Sequence, residues 1–438
     1  MFDDRDRLAA TPAHGLALDC LTAGIEAARP ARAVERHCSL EGDTLRIRET
    51  EYDLSEYESV RVLGGGKAAD DLAAAFEALL GDRIDGGVVV TNEPTAAPER
   101  VTVREGEHPT PGEGSLSGAN AVLEAARDAD GRTLVIAAIA GGGSALLCAP
   151  TAGLPIEDVQ ATTDGLLDAG ASIDEINVVR RACSEIKGGG LAAAAAPATV
   201  VGVLVDDVVG DTPSVIASGP TVPTGTDPAG ALDVLDRYDL DVPAIEEYLR
   251  TADPRAPDEA DVEVENHVVV SGRDAVEAAE EVAAERGYST CILSTRIEGE
   301  ATTAGRIHAA IGTEAVENGD PLAPPAVVLS GGETTVRVTG DGTGGPNQEF
   351  ALAAAGELPE SAVLGAVDTD GEDGSTDAAG ALVDAGTIED PEAARRALSD
   401  NDSYGFLGPR GGLLYTGATG TNVNDLRVLV LPATDGRR

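Results

Sequence analysis

Two lysines are the first residues with chemical consequence. In 438 residues Lys67 and Lys187 are the only ones, and arginine supplies the other 29 of the 31 basic side chains. Each lysine abuts glycine, in Gly64-Gly65-Gly66-Lys67-Ala68-Ala69 and in Ile186-Lys187-Gly188-Gly189-Gly190. Glycine lets backbone approach a ligand closely, and a compact ammonium beside such a cradle suits a phosphate or carboxylate. A third glycine run, Gly141-Gly142-Gly143-Ser144, stands between an apolar strand and a helix start, where N–H groups can face an anion. The plainer alternative is a set of tight turns in a chain that has lost lysine through salt adaptation.

Acidic residues gather past two expected strands: Asp206, Asp207 and Asp211 after 200–205, and Asp368, Asp370, Asp373 and Asp377 after 362–367. Mg2+ takes one or two carboxylates and fills its shell with water and phosphate oxygens, so Asp207, Asp368 and Asp370 are candidate metal ligands. In so acidic a chain the same clusters also suit a salt-adapted surface. His108 lies in the stiff loop Gly106-Glu107-His108-Pro109-Thr110-Pro111-Gly112 and can contact substrate or carry a proton; a structural histidine is the alternative. His14, His37, His267 and His308 have no partner spacing. Walker A, protein-kinase and dinucleotide signatures are all absent, so nicotinamide binding has no support.

The elements that must position these residues alternate. Val60–Leu63 runs into the Gly-Lys turn and a helix from about Ala68; Val88–Val90, Thr133–Ala137 and Val200–Leu204 repeat the pattern of strand, glycine and helix. That predicts an α/β fold: a doubly wound, Rossmann-like parallel sheet with ligands at the carboxyl ends of its strands, followed by a smaller mixed α/β domain. A helical opening over about 8–38 precedes it. The Pro- and acid-rich stretch 251–266 sets the boundary, giving domains 1–252 and 265–438. The second begins with the strand His267–Val270 and continues through helices 274–286 and 301–318 and strands near 290–293, 326–329, 335–339, 362–367 and 427–431.

Composition narrows the partners. A net charge of −46, from 77 acidic and 31 basic residues spread along the chain, argues against nucleic acid and anionic membranes and for a cytoplasmic protein of a salt-adapted cell. Aromatics are 3% and tryptophan is absent, so base-stacking platforms are excluded. Five cysteines without C-x-x-C spacing read as reduced core residues. No apolar run reaches the roughly 20 residues of a membrane span.

Taken in order, these blocks resemble the glycerate 2-kinase family, which joins an N-terminal glycerate kinase domain to a C-terminal MOFRL domain, here of haloarchaeal type. The resemblance runs through Gly64–Ala68, Gly106–Pro109, Gly141–Leu146, Ile176–Arg180 with Ile186–Gly189, Asp207–Asp211 through Ala217–Thr221, Ser330–Thr334, Asn347–Glu349, Asp368–Gly371 and Thr419–Asp425. It implies transfer of phosphate from ATP, with Mg2+, to the 2-hydroxyl of D-glycerate by a monomer or homodimer, with Lys67 as the active-site lysine. Glycerate is then expected on Gly142, Gly143 and Ser144 with Arg180 or Lys187, His108 nearby, and Asp207 as metal ligand or proton acceptor. Gly331, Gly332, Glu333, Thr334, Asn347, Gln348 and Glu349 are expected at the nucleotide. Pro346 departs from the family, which often has arginine there. The rival readings are an NAD(P)H-dependent hydroxypyruvate reductase and a non-catalytic hydroxy-acid-binding protein.

Overall fold

The computed structural model of the chain describes residues 1–151, 153–206, 213–255 and 263–433. By contact it divides into a continuous unit, Ala33–Val269, and a split unit, Met1–Arg32 with Val270–Arg438.

In the continuous unit a small antiparallel sheet, β1 (Cys38–Glu41), β2 (Thr44–Ile47) and β3 (Thr50–Asp53), precedes the main sheet. The main strands are β4 (Ser59–Gly65), β5 (Gly86–Thr91), β6 (Val101–Glu105), β7 (Thr133–Ile139), β8 (Thr199–Val205) and β9 (Val264–Val270), in the order β6-β5-β4-β7-β8-β9. Strands β6 through β8 are parallel. All seven residues of β7 are buried, as an unbroken apolar run in a doubly covered sheet should be. The core is built from Val, Leu, Ile and Ala, including Leu63, Val90, Leu123, Val135, Ile139, Leu191 and Leu204. Four helices, Ile156–Asp168, Ile173–Ala182, Pro228–Arg237 and Pro243–Thr251, form a second core around Leu166, Ile176, Val179, Leu235, Ile245 and Leu249.

The split unit holds β10 (Ser289–Glu300), β11 (Ala326–Thr335), β12 (Val363–Asp368), β13 (Gly380–Asp384), β14 (Leu413–Leu414) and β15 (Asp425–Leu431), ordered β10-β11-β15-β12-β13-β14. Only β10 and β11 pair in parallel. Side chains alternate between its two faces. Val328, Leu429 and Leu431 join the core beneath helices Ala301–Asn318 and Pro346–Ala355. Val327, Leu329, Val428 and Val430 join the core beneath Pro12–Ala27 and Gly272–Glu285.

Three expectations are corrected. The helical opening is two helices, Pro12–Ala27 and Pro30–His37, broken where Pro30 starts the second. The first of these packs in the split unit, Gly24 lying against the Leu426 side chain and the Ala275 carbonyl. The strand at 264–270 is the last of the first sheet, where the Glu263 carbonyl accepts from Val200 N at 2.9 Å. No strand covers 336–339, because pairing of β11 ends at Thr335.

Candidate active site

From β4 the chain turns to β5 on one side of the sheet, and from β7 to β8 on the other, so the carboxyl ends of adjacent β4 and β7 form a topological switch point. Both glycine runs stand there. Lys67 N donates to the Gly141 carbonyl at 2.8 Å, Ala140 N to Gly65 at 3.2 Å, and Gly66 N to Val90 at 3.0 Å. Gly66 has φ +140, and a Cβ there would sit 2.4 Å from the Ala140 oxygen, so the two turns close on each other only with glycine. Gly142, at φ +74, is flanked by two chemical side chains: a Cβ on it would lie 3.1 Å from both Lys67 Cγ and His108 Cδ2. Lys67, His108 and Gly142 therefore meet. The His108 loop is anchored through Glu107, whose carboxylate accepts from Gly114 N (3.1 Å) and Ser115 N (3.0 Å) at the start of helix Glu113–Arg127; the Ser115 amide bond is the main cause of its lowered pKa.

Beside them opens a cavity of about 150 Å³ lined by Pro109, Ser144, Cys148, Arg180, Ser184 and Lys187, among others. Lys187 is buried, and its ammonium donates to the Leu147 carbonyl at 2.9 Å. Burial, with Arg180 adding to it against the Cys148 thiol, brings its pKa down to about 8. The Arg180 guanidinium is pushed down by burial as well. Neither cation forms an ion pair among the described residues. Buried charges are ordinarily paired, so buried Lys187 and half-buried Arg180, neither with an ion-pair partner among the described residues, form an arrangement that can hold an anion. Arg180 is held by its helix, Ile173–Ala182, which starts in a capping box between Ser172 and Glu175; Glu175 also accepts from Tyr238 at 2.8 Å and pairs with Arg237.

The helix of the glycine run, Gly143–Leu146, is a single turn, and the Gly143 amide donates to the Ala140 carbonyl at 3.2 Å. Ser144 is where the run enters the cavity. Its Oγ lies 2.8 Å from Ser218 Oγ, which donates to Asn177 Oδ1 at 2.8 Å. Sequence reasoning gave Ser218 and Asn177 no role. Only the juxtaposition Ala217-Ser218-Gly219 hinted at it, and Ala217, Ser218 and Gly219 all prove to be left-handed, with φ +51, +63 and +70.

Residues 16–252 match a domain family described as a domain of unknown function, DUF4147, and residues 326–425 match the MOFRL family. A glycerate 2-kinase of Pyrococcus horikoshii is 39% identical over 94% of this chain and 96% of its own. The chain belongs to the glycerate 2-kinase family. The crystal structure of a glycerate kinase from Thermotoga maritima superposes with a TM-score of 0.84 at 36% identity, covering 95% of this chain and 98% of that one. A protein of Agrobacterium vitis bearing a provisional hydroxypyruvate reductase name is 41% identical over 84% of this chain and 86% of its own.

The remaining family blocks lie in the split unit. Thr334, Asn347, Gln348 and Glu349 are buried and bonded to the protein itself. Asn347 N and Gln348 N donate to the Asp373 carboxylate at 2.9 and 2.8 Å, and Asn347 Nδ2 donates to Asp425 at 2.6 Å. Thr334 N donates to Asp425 at 2.9 Å, Asn401 Nδ2 donates to Glu349 at 2.8 Å, and fully buried Arg427 pairs with Asp425 and lies 4.8 Å over the Phe350 ring. These side chains build a scaffold. Gly331 and Gly332 are buried within β11, and Glu333 is the exposed side chain of the expected nucleotide set. Pro346 opens the helix Pro346–Ala355, a first-turn position where its missing N–H costs nothing.

Asp207 lies outside the described residues, whereas Asp206 is buried at the end of β8. Asp368 and Asp370 are adjacent, Asp370 N donating to Asp368 Oδ1 at 3.2 Å. Burial first, then Asp370 and Asp425, hold the Asp368 carboxyl well above the usual range. Among the described residues no group of three His, Cys, Asp or Glu side chains is placed to hold a metal together. The cysteines are all unpaired thiols. No helix among the described residues is long and apolar enough to cross a membrane.

Proposed function

We propose that this chain is a cytoplasmic, salt-adapted kinase that phosphorylates D-glycerate at its 2-hydroxyl with ATP. The observation that carries the reading is buried Lys187 and half-buried Arg180, without an ion-pair partner among the described residues, on a small cavity next to the Lys67–His108–Gly142 cluster. A cavity of about 150 Å³ suits a three-carbon acid. Its carboxylate settles on Arg180 and Lys187, which turns the 2-hydroxyl toward Lys67. The hydroxyl oxygen bonds to the γ-phosphorus as the bond to the ADP oxygen breaks. Lys67 offsets charge on the transferring group, and positioning and electrostatics supply most of the rate. His108 closes the site on the side facing Gly142.

Mg2+ fits the chemistry of Asp368 and Asp370, two adjacent carboxyls, since burial and then like charge raise the Asp368 pKa and a divalent ion relieves that repulsion. The ion would neutralise phosphate charge when bound. Incubation in high-KCl buffer with ATP, Mg2+ and D-glycerate, with the product identified by phosphorus NMR, tests the reading. 2-Phosphoglycerate and ADP are expected. A 3-phosphate product, no ADP, or oxidation of NADH with hydroxypyruvate overturns it.

A further inference from the structure

Arg180, Lys187 and Lys67 account for two substituents of glycerate's C2 stereocentre, the carboxylate and the reacting hydroxyl. The third is the terminal hydroxymethyl. Thr110, Gln160, Thr163, Asp164 and Ser184 also line the cavity, but Ser144 is the lining hydroxyl tied to two fully buried polar side chains, Ser218 and Asn177. Ser218 has one hydroxyl proton and donates it to Asn177 Oδ1 at 2.8 Å. With Asn177 oriented so that its Oδ1 accepts, Ser144 donates its own proton to Ser218 across their 2.8 Å contact. With that proton committed, Ser144 offers the cavity lone pairs alone.

The segment behind Ser144 is built to hold this arrangement. Ser218 and Asn177 are fully buried. Ser218 sits at φ +63, a conformation costly for a non-glycine residue unless its surroundings enforce it. They do so here: its amide donates to the Val215 carbonyl at 2.8 Å, and its own carbonyl accepts from Gly188 N at 3.1 Å, immediately beside Lys187. The turn also packs on the glycine run, since a Cβ on Gly143 would lie 2.6 Å from Ala217 Cβ.

We propose that Ser218 and Asn177 are positioning residues that fix Ser144 as the acceptor for the acid's terminal hydroxyl, so that the site prefers glycerate to 2-hydroxy acids lacking that group. The inference rests on the glycerate reading above and names what selects the substrate. Three directional contacts on one carbon also distinguish D- from L-glycerate.

Calorimetric titration of the full chain in high-KCl buffer with D-glycerate and with D-lactate, which carries a methyl in place of the hydroxymethyl, tests it. The wild type should bind D-glycerate about tenfold or more the tighter, because a lost donor leaves a desolvated acceptor unmet. Ser218→Gly, which tolerates the left-handed backbone while removing the hydroxyl, should bring the two Kd values within about threefold at an unchanged far-ultraviolet spectrum. Asn177→Leu should do the same and Asn177→Asp, an acceptor only, should restore the preference. Equal binding of both acids by wild type, a preference that survives Ser218→Gly, or failure of Asn177→Asp to restore it overturns the inference; the last would show an amide that donates, reversing the chain. D-glycerate bound but never phosphorylated refutes the kinase reading and leaves this one standing, whereas no D-glycerate binding refutes both.

Discussion

Replacing Lys187 with methionine should make the protein more stable at neutral pH and worse at holding its substrate. The buried ammonium titrates at about 8 against an ordinary 10.5, a gap that at 1.36 kcal/mol per pH unit amounts to about 3 kcal/mol of destabilisation while the group is charged. Between these two values the unfolded chain holds a proton that the folded chain has released. Stability therefore rises with pH across that window, and the cost shrinks to about 1 kcal/mol at pH 10. Methionine removes the cost but strands the Leu147 carbonyl that Lys187 now satisfies, a loss of about 1–2 kcal/mol at every pH. Lys187→Met should thus gain about 1–2 kcal/mol over wild type near pH 7 and lose roughly 1 kcal/mol or less near pH 10. Urea unfolding of both proteins in high KCl at several pH values measures the difference. Glycerate affinity of the wild type should also fall about tenfold per pH unit above 8, a dependence the variant lacks. A stability difference that stays constant from pH 7 to pH 10 would refute the reasoning, since it would mean that the ammonium feels no more burial in the fold than outside it.

Lys67→Arg should lower kcat by about a hundredfold or more with little change in glycerate affinity, because a planar fork cannot take the place of a point charge beside Gly142; steady-state kinetics against calorimetry separates the two effects. Gly143→Ala should cost about 1–3 kcal/mol in urea unfolding and weaken glycerate binding, since the new methyl would collide with Ala217 and displace the Ser218 turn. For Arg427→Met, about 3–5 kcal/mol of stability should be lost at pH 7, as Asp425 is left charged and buried without its partner; a loss under 1 kcal/mol would show that the pair is dispensable.

Locally encoded features were legible in the sequence. Val60–Leu63 running into Gly66-Lys67, and Thr133–Ala137 into Gly141-Gly142, announce strand, turn and helix through residues that touch one another along the chain, and both turns fall at the switch point. What failed was pairing at a distance. A largely apolar helix at 12–27 shows that it needs an apolar partner without saying which sheet provides it. Likewise Val264–Val270 carries the same β pattern whether it closes one sheet or opens another. The partners of Asn347, Gln348 and Glu349 were also hidden at a distance: in the fold they bond to Asp373, Asp425 and Asn401, residues 25 to 78 positions away. Ser218 escaped notice because nothing in a serine's identity foretells a left-handed backbone.

Helix Pro12–Ala27 is synthesised well before Ala33–Val269, yet its seat includes Leu426, made only after that whole unit. At about 5–20 residues per second its apolar stripe waits on the order of a minute for that seat, long enough for Ala33–Val269 to finish folding meanwhile. Through that interval the helix stays unsheltered, so the split unit can close only after the continuous unit has been made.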